Sequence, residues 1–215
     1  MRFIVFDTET TGFFGRMDTV NGRSCKSSGE IIQLSAIVCD MNKNVTDFIS
    51  FYCMPTKPIT DGAYSVHNIS NEDIPILSEG LPLEYYLCDK YKDLFYSKGN
   101  IFVGHNVSFD IRSVNRDLEN YGNPLIDFGN NVSHSVGLSE NKNYHMDTMK
   151  ICKSEFNYYK NPKLSEAINI LNAKDAIDQI YPKLLRRFHK ESSRNFHNAD
   201  YDTCCTWALL SLLNR

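Results

Sequence analysis

Residues Phe3 to Phe6 form a continuous apolar run that ends on Asp7-Thr8-Glu9-Thr10-Thr11-Gly12, two carboxylates set two residues apart. Such a run reads as a strand covered on both faces, and side chains at i and i+2 of a strand point the same way. Asp7 and Glu9 therefore share a face. Like charges held that close raise each other's pKa, which is costly unless a cation or a shared proton neutralises them. A divalent metal is the usual partner for such a pair.

The rest of the chain is expected to supply an ordinary folded frame. At 215 residues, 42% apolar and 23% charged, it has the length and composition of one well-buried domain. No apolar run approaches the roughly 20 residues a membrane helix needs, and residues 1–6 lack the regions of a signal peptide, so a soluble, non-secreted protein of the cytoplasm or another reducing compartment is expected. The seven cysteines form no CxxC pair and two of them, Cys204 and Cys205, are adjacent. That spacing favours free thiols over a disulfide framework or a zinc site. A formal net charge of −3 excludes nucleic-acid binding by bulk positive charge and leaves room for a local, metal-assisted grip.

Strands are predicted at 2–7, 31–38, 45–53, 101–103 and about 145–149, and helices near 82–97, 109–121, 163–171 and 199–213. This order gives an α/β domain with a central five-stranded mixed sheet flanked by helices. Residues 13–30 and 127–143 read as loop insertions and 174–194 as a helical insertion, kinked or restarted at Pro182. The whole chain, 1–215, is expected to be one domain.

Two further acids fall at element boundaries. Asp110 closes Gly104-His105-Asn106-Val107-Ser108-Phe109-Asp110, after the apolar run Ile101 to Val103, and lies in the first turn of the following helix. Asp202 closes His197-Asn198-Ala199-Asp200-Tyr201-Asp202, which opens an apolar C-terminal helix. Singly, each is more simply a helix cap or a dipole partner.

Taken together and in order, these three stretches resemble the exonuclease motifs of the DnaQ-like 3′-to-5′ exonucleases, the DEDD superfamily on a ribonuclease H-like fold. Tyr64-Ser65-Val66-His67-Asn68-Ile69 is similar to the family's Val-His-Gly-Ile segment, with Asn68 in place of the usual Gly. His145-Met146-Asp147-Thr148 and Leu164-Ser165-Glu166-Ala167 are similar to its following strand and helix. His197 stands five residues before Asp202, the spacing of the branch that uses histidine as general base (DEDDh).

The resemblance implies a metal-dependent exonuclease removing nucleoside 5′-monophosphates from a 3′ end, DNA favoured and single-stranded, with two Mg2+ or Mn2+ ions. Asp7, Glu9, Asp110 and Asp202 would hold the ions and His197 would deprotonate the attacking water. Thr10, Thr11, Val66, His67 and Phe109 would meet the terminal nucleotides. The basic cluster Lys183, Arg186, Arg187, His189, Lys190 and Arg194 is either a solvated helix face or a steering surface. An RNA 3′ exonuclease is the alternative, since the motifs do not select the sugar. A silent nucleic-acid-binding subunit is disfavoured, because all five site residues are present. The resemblance extends to the exonuclease domain of the bacterial replicative polymerase's epsilon subunit, which suggests proofreading. With the last helix ending near Arg215, however, no C-terminal polymerase-binding tail is expected, and repair or degradation is equally open.

Overall fold

A computed structural model describes residues 1–188 and 197–213. The apolar run does form the central strand, β1 (Arg2–Thr10), and it carries the strand through both carboxylates. It pairs antiparallel with β4 (Ile31–Cys39) on one side and parallel with β6 (Asn100–Gly104) on the other. β5 (Val45–Tyr52) continues the sheet beyond β4, and β8 (Tyr144–Asp147) beyond β6. The five expected strands are thus present, and a two-residue strand, β7 (Asn130–Asn131), extends the far edge to give the order β5-β4-β1-β6-β8-β7.

Alternation along β1 divides the core. Phe3 and Val5 pack with α5 (Thr148–Glu155), α6 (Leu164–Ile170), α7 (Lys174–Arg187) and α8 (Ala199–Leu213) on one face. Ile4 and Phe6 pack on the other face with α4 (Ser108–Asn120) and with the aromatic segment that precedes β6. The period-2 geometry of the strand makes this division, and it sets Asp7 and Glu9 on the α8 side.

Several local expectations are corrected. Residues 13–30 hold a hairpin, β2 (Met17–Val20) and β3 (Arg23–Lys26), closed by Asn21-Gly22. Both turn residues have positive φ, 51° and 73°, the conformation of a two-residue turn matched to strand twist. Residues 82–97 do not form one helix: a π-helical segment (Tyr85–Lys90) is followed by a single turn, α3 (Lys92–Phe95). The strand placed at 145–149 stops at Asp147, whose side chain accepts from Met149 N and caps α5. The helix α7 runs through Pro182 without a break, its stripe of Ile177, Tyr181 and Leu184 held in the core. Two short helices had gone unassigned, α1 (Asp61–His67) and α2 (Ile74–Leu77). Asn68 ends α1 at φ 59°, the left-handed cap that Gly or Asn adopts at least cost, which accounts for Asn at this position.

Among the described residues, no helix is long and apolar enough to cross a membrane. All seven cysteines are free thiols.

Candidate active site

The last residues of β1 run on past its pairing with β6, which ends at Val5, and remain paired only with β4, with a register shift between Glu9 and Thr10. Bulges of this kind re-aim side chains beside functional sites. Gly12 follows at φ 137°, and a Cβ there would stand 2.6 Å from Ser27 Oγ and 2.8 Å from Thr60 Oγ1. Only glycine fits that turn.

Two helices bring the other acids to this end of the strand. On the α4 side, Thr8 donates to Asp110 Oδ1 from its backbone N (3.1 Å) and from its hydroxyl (2.7 Å). On the opposite face α8 packs across β1 and β4, its Thr203 hydroxyl donating to Ser35 O (3.3 Å). This presents Asp202 to Asp7 and Glu9. His197 precedes α8 at φ 66°, an uncommon conformation for a non-glycine residue, and its backbone N donates to Asp202 Oδ2 (3.0 Å).

The charges interact strongly. Burial, then repulsion from Asp110, Asp202 and Glu9, holds the Asp7 carboxyl well above its ordinary range. Glu9 is pushed up to about 8, by burial first and then by Asp202 and Asp110. Burial raises Asp110 to about 7, against the lowering effect of the Thr8 hydrogen bonds, and raises Asp202 to about 7 against the His197 N–H. Such a cluster is costly without a cation. Glu9, His197 and Asp202 each present a ligand atom within 4.8 Å of the others, and Asp202 Oδ1 is buried with no donor among the described residues. An orphaned carboxylate oxygen and a set of hard oxygen donors fit divalent metal.

Asp7, Glu9, Asp202 and His197 line a cavity of about 710 Å³, whereas Asp110 is buried just behind its wall, held by Thr8, which does line it. Of the residues expected to meet substrate, Thr10, Val66, His67 and Phe109 line it. Thr11 does not: it is fully buried behind the site, its hydroxyl accepting from Glu30 N (3.0 Å) and its carbonyl from Thr60 N (3.0 Å). Both nitrogens of His67 are engaged. Nδ1 accepts from Ile69 N (3.0 Å), which makes Nε2 the donor to Thr10 O (3.2 Å), and burial lowers the ring's pKa to about 4. His67 is thus a neutral brace between α1 and the end of β1. Of the basic cluster, Lys183, Arg186 and Arg187 lie on α7 and do not line the cavity, whereas His189, Lys190 and Arg194 lie outside the described residues.

One wall was not anticipated. Phe13, Arg16, Met17 and Asp18, from the hairpin and its approach, also line the cavity, with the Phe13 ring edge-on to Phe109 at 5.9 Å. Asp61 docks this hairpin on α1, accepting from Thr19 Oγ1 (2.6 Å), Asn21 N (3.0 Å) and Gly22 N (3.0 Å). The Asn-Gly pair was the available signal.

The RNase_T family, described as Exonuclease, matches the chain over residues 4–210, a span that contains every acid of the cluster. The chain belongs to this exonuclease family. Among similar proteins, the PolC-type DNA polymerase III of Ureaplasma parvum is 27% identical over 201 residues, 93% of this chain and 10% of that protein. The 3′-5′ exonuclease DinG of Bacillus subtilis is 30% identical over 169 residues, 79% of this chain and 15% of that protein. The DNA polymerase III epsilon subunit of Buchnera aphidicola is 33% identical over 123 residues, 55% of this chain and 45% of that protein. The exonuclease-family chain thus spans less than half the length of each. In structure it is similar to Exonuclease X in complex with 5′ overhanging duplex DNA, with TM-score 0.57, 19% identity and coverage of 98% of this chain and 90% of that one. It is also similar to E. coli Exonuclease I in complex with a dA16 oligonucleotide, with TM-score 0.64, 17% identity and coverage of 98% and 40%. At these identities the likeness establishes the fold, of the ribonuclease H-like type.

Proposed function

We propose that residues 1–215 form one exonuclease unit that hydrolyses the terminal phosphodiester bond at a DNA 3′ end, single-stranded at the point of cleavage, and releases nucleoside 5′-monophosphates. The observation that carries this reading is the convergence of Asp7, Glu9, Asp110 and Asp202, from three separate elements, beside His197. Asp7, Glu9 and Asp202 would hold one divalent ion, with Asp7 and Asp110 serving a second, Mg2+ or Mn2+. Bound there, the ions supply charge neutralisation at the phosphate and lower the pKa of the attacking water.

The chain's own residues do the remainder. The exposed His197 imidazole accepts the proton of the attacking water, as a general base at the cavity mouth. Thr8 fixes one Asp110 oxygen and with it the orientation of the carboxylate. His67 holds the Thr10 carbonyl in place at the cavity wall, and Val66, 46% exposed, with Phe109 offers apolar surface to the terminal bases. Thr11, sealed behind the wall, contributes to the shape of the turn. The names of the relatives extend the proposal to DNA, with proofreading, repair or degradation as the setting and a polymerase as a candidate partner.

The test incubates wild type, Asp7→Ala and His197→Ala with 5′-labelled DNA and RNA single strands of one sequence, with Mg2+, with Mn2+ and with chelator. A metal-dependent ladder from the 3′ end, absent in Asp7→Ala, is expected, with DNA the faster substrate. His197→Ala should lose most turnover while retaining metal binding by calorimetry. Undiminished turnover in that variant refutes its role, and a faster RNA ladder moves the assignment to an RNA exonuclease. No ladder from folded wild type refutes the enzyme reading.

A further inference from the structure

Residues 148–163, from the start of α5 to the residue before α6, carry four lysines and one glutamate in a chain whose formal net charge is −3. Lys150, Lys153, Ser154, Asn157, Tyr158 and Asn161 line a groove of about 530 Å³. Every one of these side chains can donate hydrogen bonds and none is acidic. Beside the groove stand Phe156, 44% exposed, and Tyr159, 80% exposed. Lys160 Nζ lies 5.6 Å from the centre of the Tyr159 ring while pairing with Glu166 at 2.6 Å. A solvated helix face would account for the lysines alone. It does not account for two neighbouring aromatic rings left open to water among them. Cations interleaved with solvent-exposed aromatic rings, Tyr159 also packing against Tyr158 at 5.0 Å, suit a flexible polyanion that carries stackable bases.

The segment is fixed to the candidate active site. His105 Nε2 donates to Pro162 O (2.9 Å), and its Nδ1 lies 3.0 Å from Thr148 Oγ1, so one ring holds both ends of residues 148–162. The next residue, Asn106, lines the large cavity and donates its backbone N to Asp147 Oδ1 (2.9 Å). Lys150 Nζ lies 3.7 Å from Asp147 Oδ2. The groove therefore begins one side chain away from the cavity, linked through Asp147.

We propose that this groove and its aromatic rim extend the nucleic-acid interface, with Lys150 and Lys153 on the phosphodiester backbone of a single strand and Tyr159 stacked on a base. The proposal rests on the exonuclease reading above. It predicts that the lysines and Tyr159 govern the affinity for long strands, while a strand too short to leave the cavity is indifferent to them.

Fluorescence anisotropy in chelator tests this with labelled single-stranded DNA of about 4 and about 16 nucleotides across a salt series. For the long strand, the double variant Lys150→Ala/Lys153→Ala should bind about tenfold more weakly, with the slope of log K against log salt reduced by about 1.4. Tyr159→Ala should lose about tenfold with the slope unchanged, and Tyr159→Phe should restore the loss. Lys92→Ala on α3 serves as the control for an unrelated surface lysine. Unchanged affinity and slope in the double variant, or an equal loss on the short strand, overturns the extension. If that occurs while wild type still shortens 3′ ends, the exonuclease reading stands without it. Length-dependent losses in a wild type background that leaves every 3′ end intact would instead keep the groove and remove the exonuclease.

Discussion

Glu9→Gln should make the metal-free protein more stable. The Glu9 carboxyl is raised from 4.5 to about 8 by burial and by repulsion from Asp202 and Asp110. The folded chain therefore holds this proton more tightly than the unfolded chain, so its contribution to stability falls as pH rises above about 4.5 and levels off above about 8. At about 1.4 kcal/mol per pH unit the full penalty is about 5 kcal/mol. Glu9 is only half-buried at the rim of an open cavity, and screening there reduces the expected cost to about 2 kcal/mol near pH 7.5. For a chain of this size that corresponds to a rise of about 4–8 °C in Tm. Calorimetry of wild type and Glu9→Gln in chelator, near pH 7.5 and near pH 4.5, checks the sign. The gain should appear at the higher pH and vanish at the lower. Adding Mn2+ should then raise the wild type more than the variant. A variant no more stable than wild type near pH 7.5, or equally stabilised at both pH values, would refute the account of a cluster strained by unneutralised charge.

Two other outcomes follow from the geometry. His67 has its pKa lowered to about 4 by burial, so its contribution runs the opposite way: stability gained as pH climbs from about 4 to about 6.5, and lost on acidification, by up to about 3 kcal/mol. In urea unfolding, His67→Gln should remove that part of the pH dependence and cost about 1–3 kcal/mol near pH 8 through the orphaned Ile69 N–H; a pH slope identical to wild type would sink the brace assignment. Asp61→Ala should release the β2–β3 hairpin from α1, seen as several-fold faster tryptic cleavage at Arg23, with the core's thermal midpoint little changed. Unaltered cleavage would mean that other contacts hold the hairpin.

Local rules reached a good part of this molecule. The i, i+2 geometry of β1 set Asp7 and Glu9 on one face without reference to any other segment, and the apolar helix after His197 was legible to within its boundaries because burial surrounds it. The hairpin was missed for the converse reason. None of the residues of Met17–Val20 and Arg23–Lys26 is buried, so no apolar alternation marks them, and the Asn-Gly turn is the sign they leave in the sequence. Residues 82–97 had apolar spacing close enough to helical to suggest one helix, yet the chain resolves into a π-helical segment and a separate turn. There Tyr86 stacks on Phe51 of β5 at 4.0 Å, a contact invisible to local periodicity.

The sequence by itself determined that a buried strand ends on a like-charged pair and, through the order of its motifs, which two distant acids and which histidine accompany them. Only the tertiary structure decided how those groups meet. α4 and α8 approach β1 from opposite faces, and the three elements share no sequence neighbourhood, so their packing alone sets the burial that raises all four acids and the repulsion felt by Asp7 and Glu9. It also sealed Thr11 behind the wall, used both nitrogens of His67 as a brace, and placed the Lys150 groove next to the cavity through Asp147. Side-chain roles of this kind depend on what lies across a gap from each residue, and a one-dimensional pattern holds no record of that.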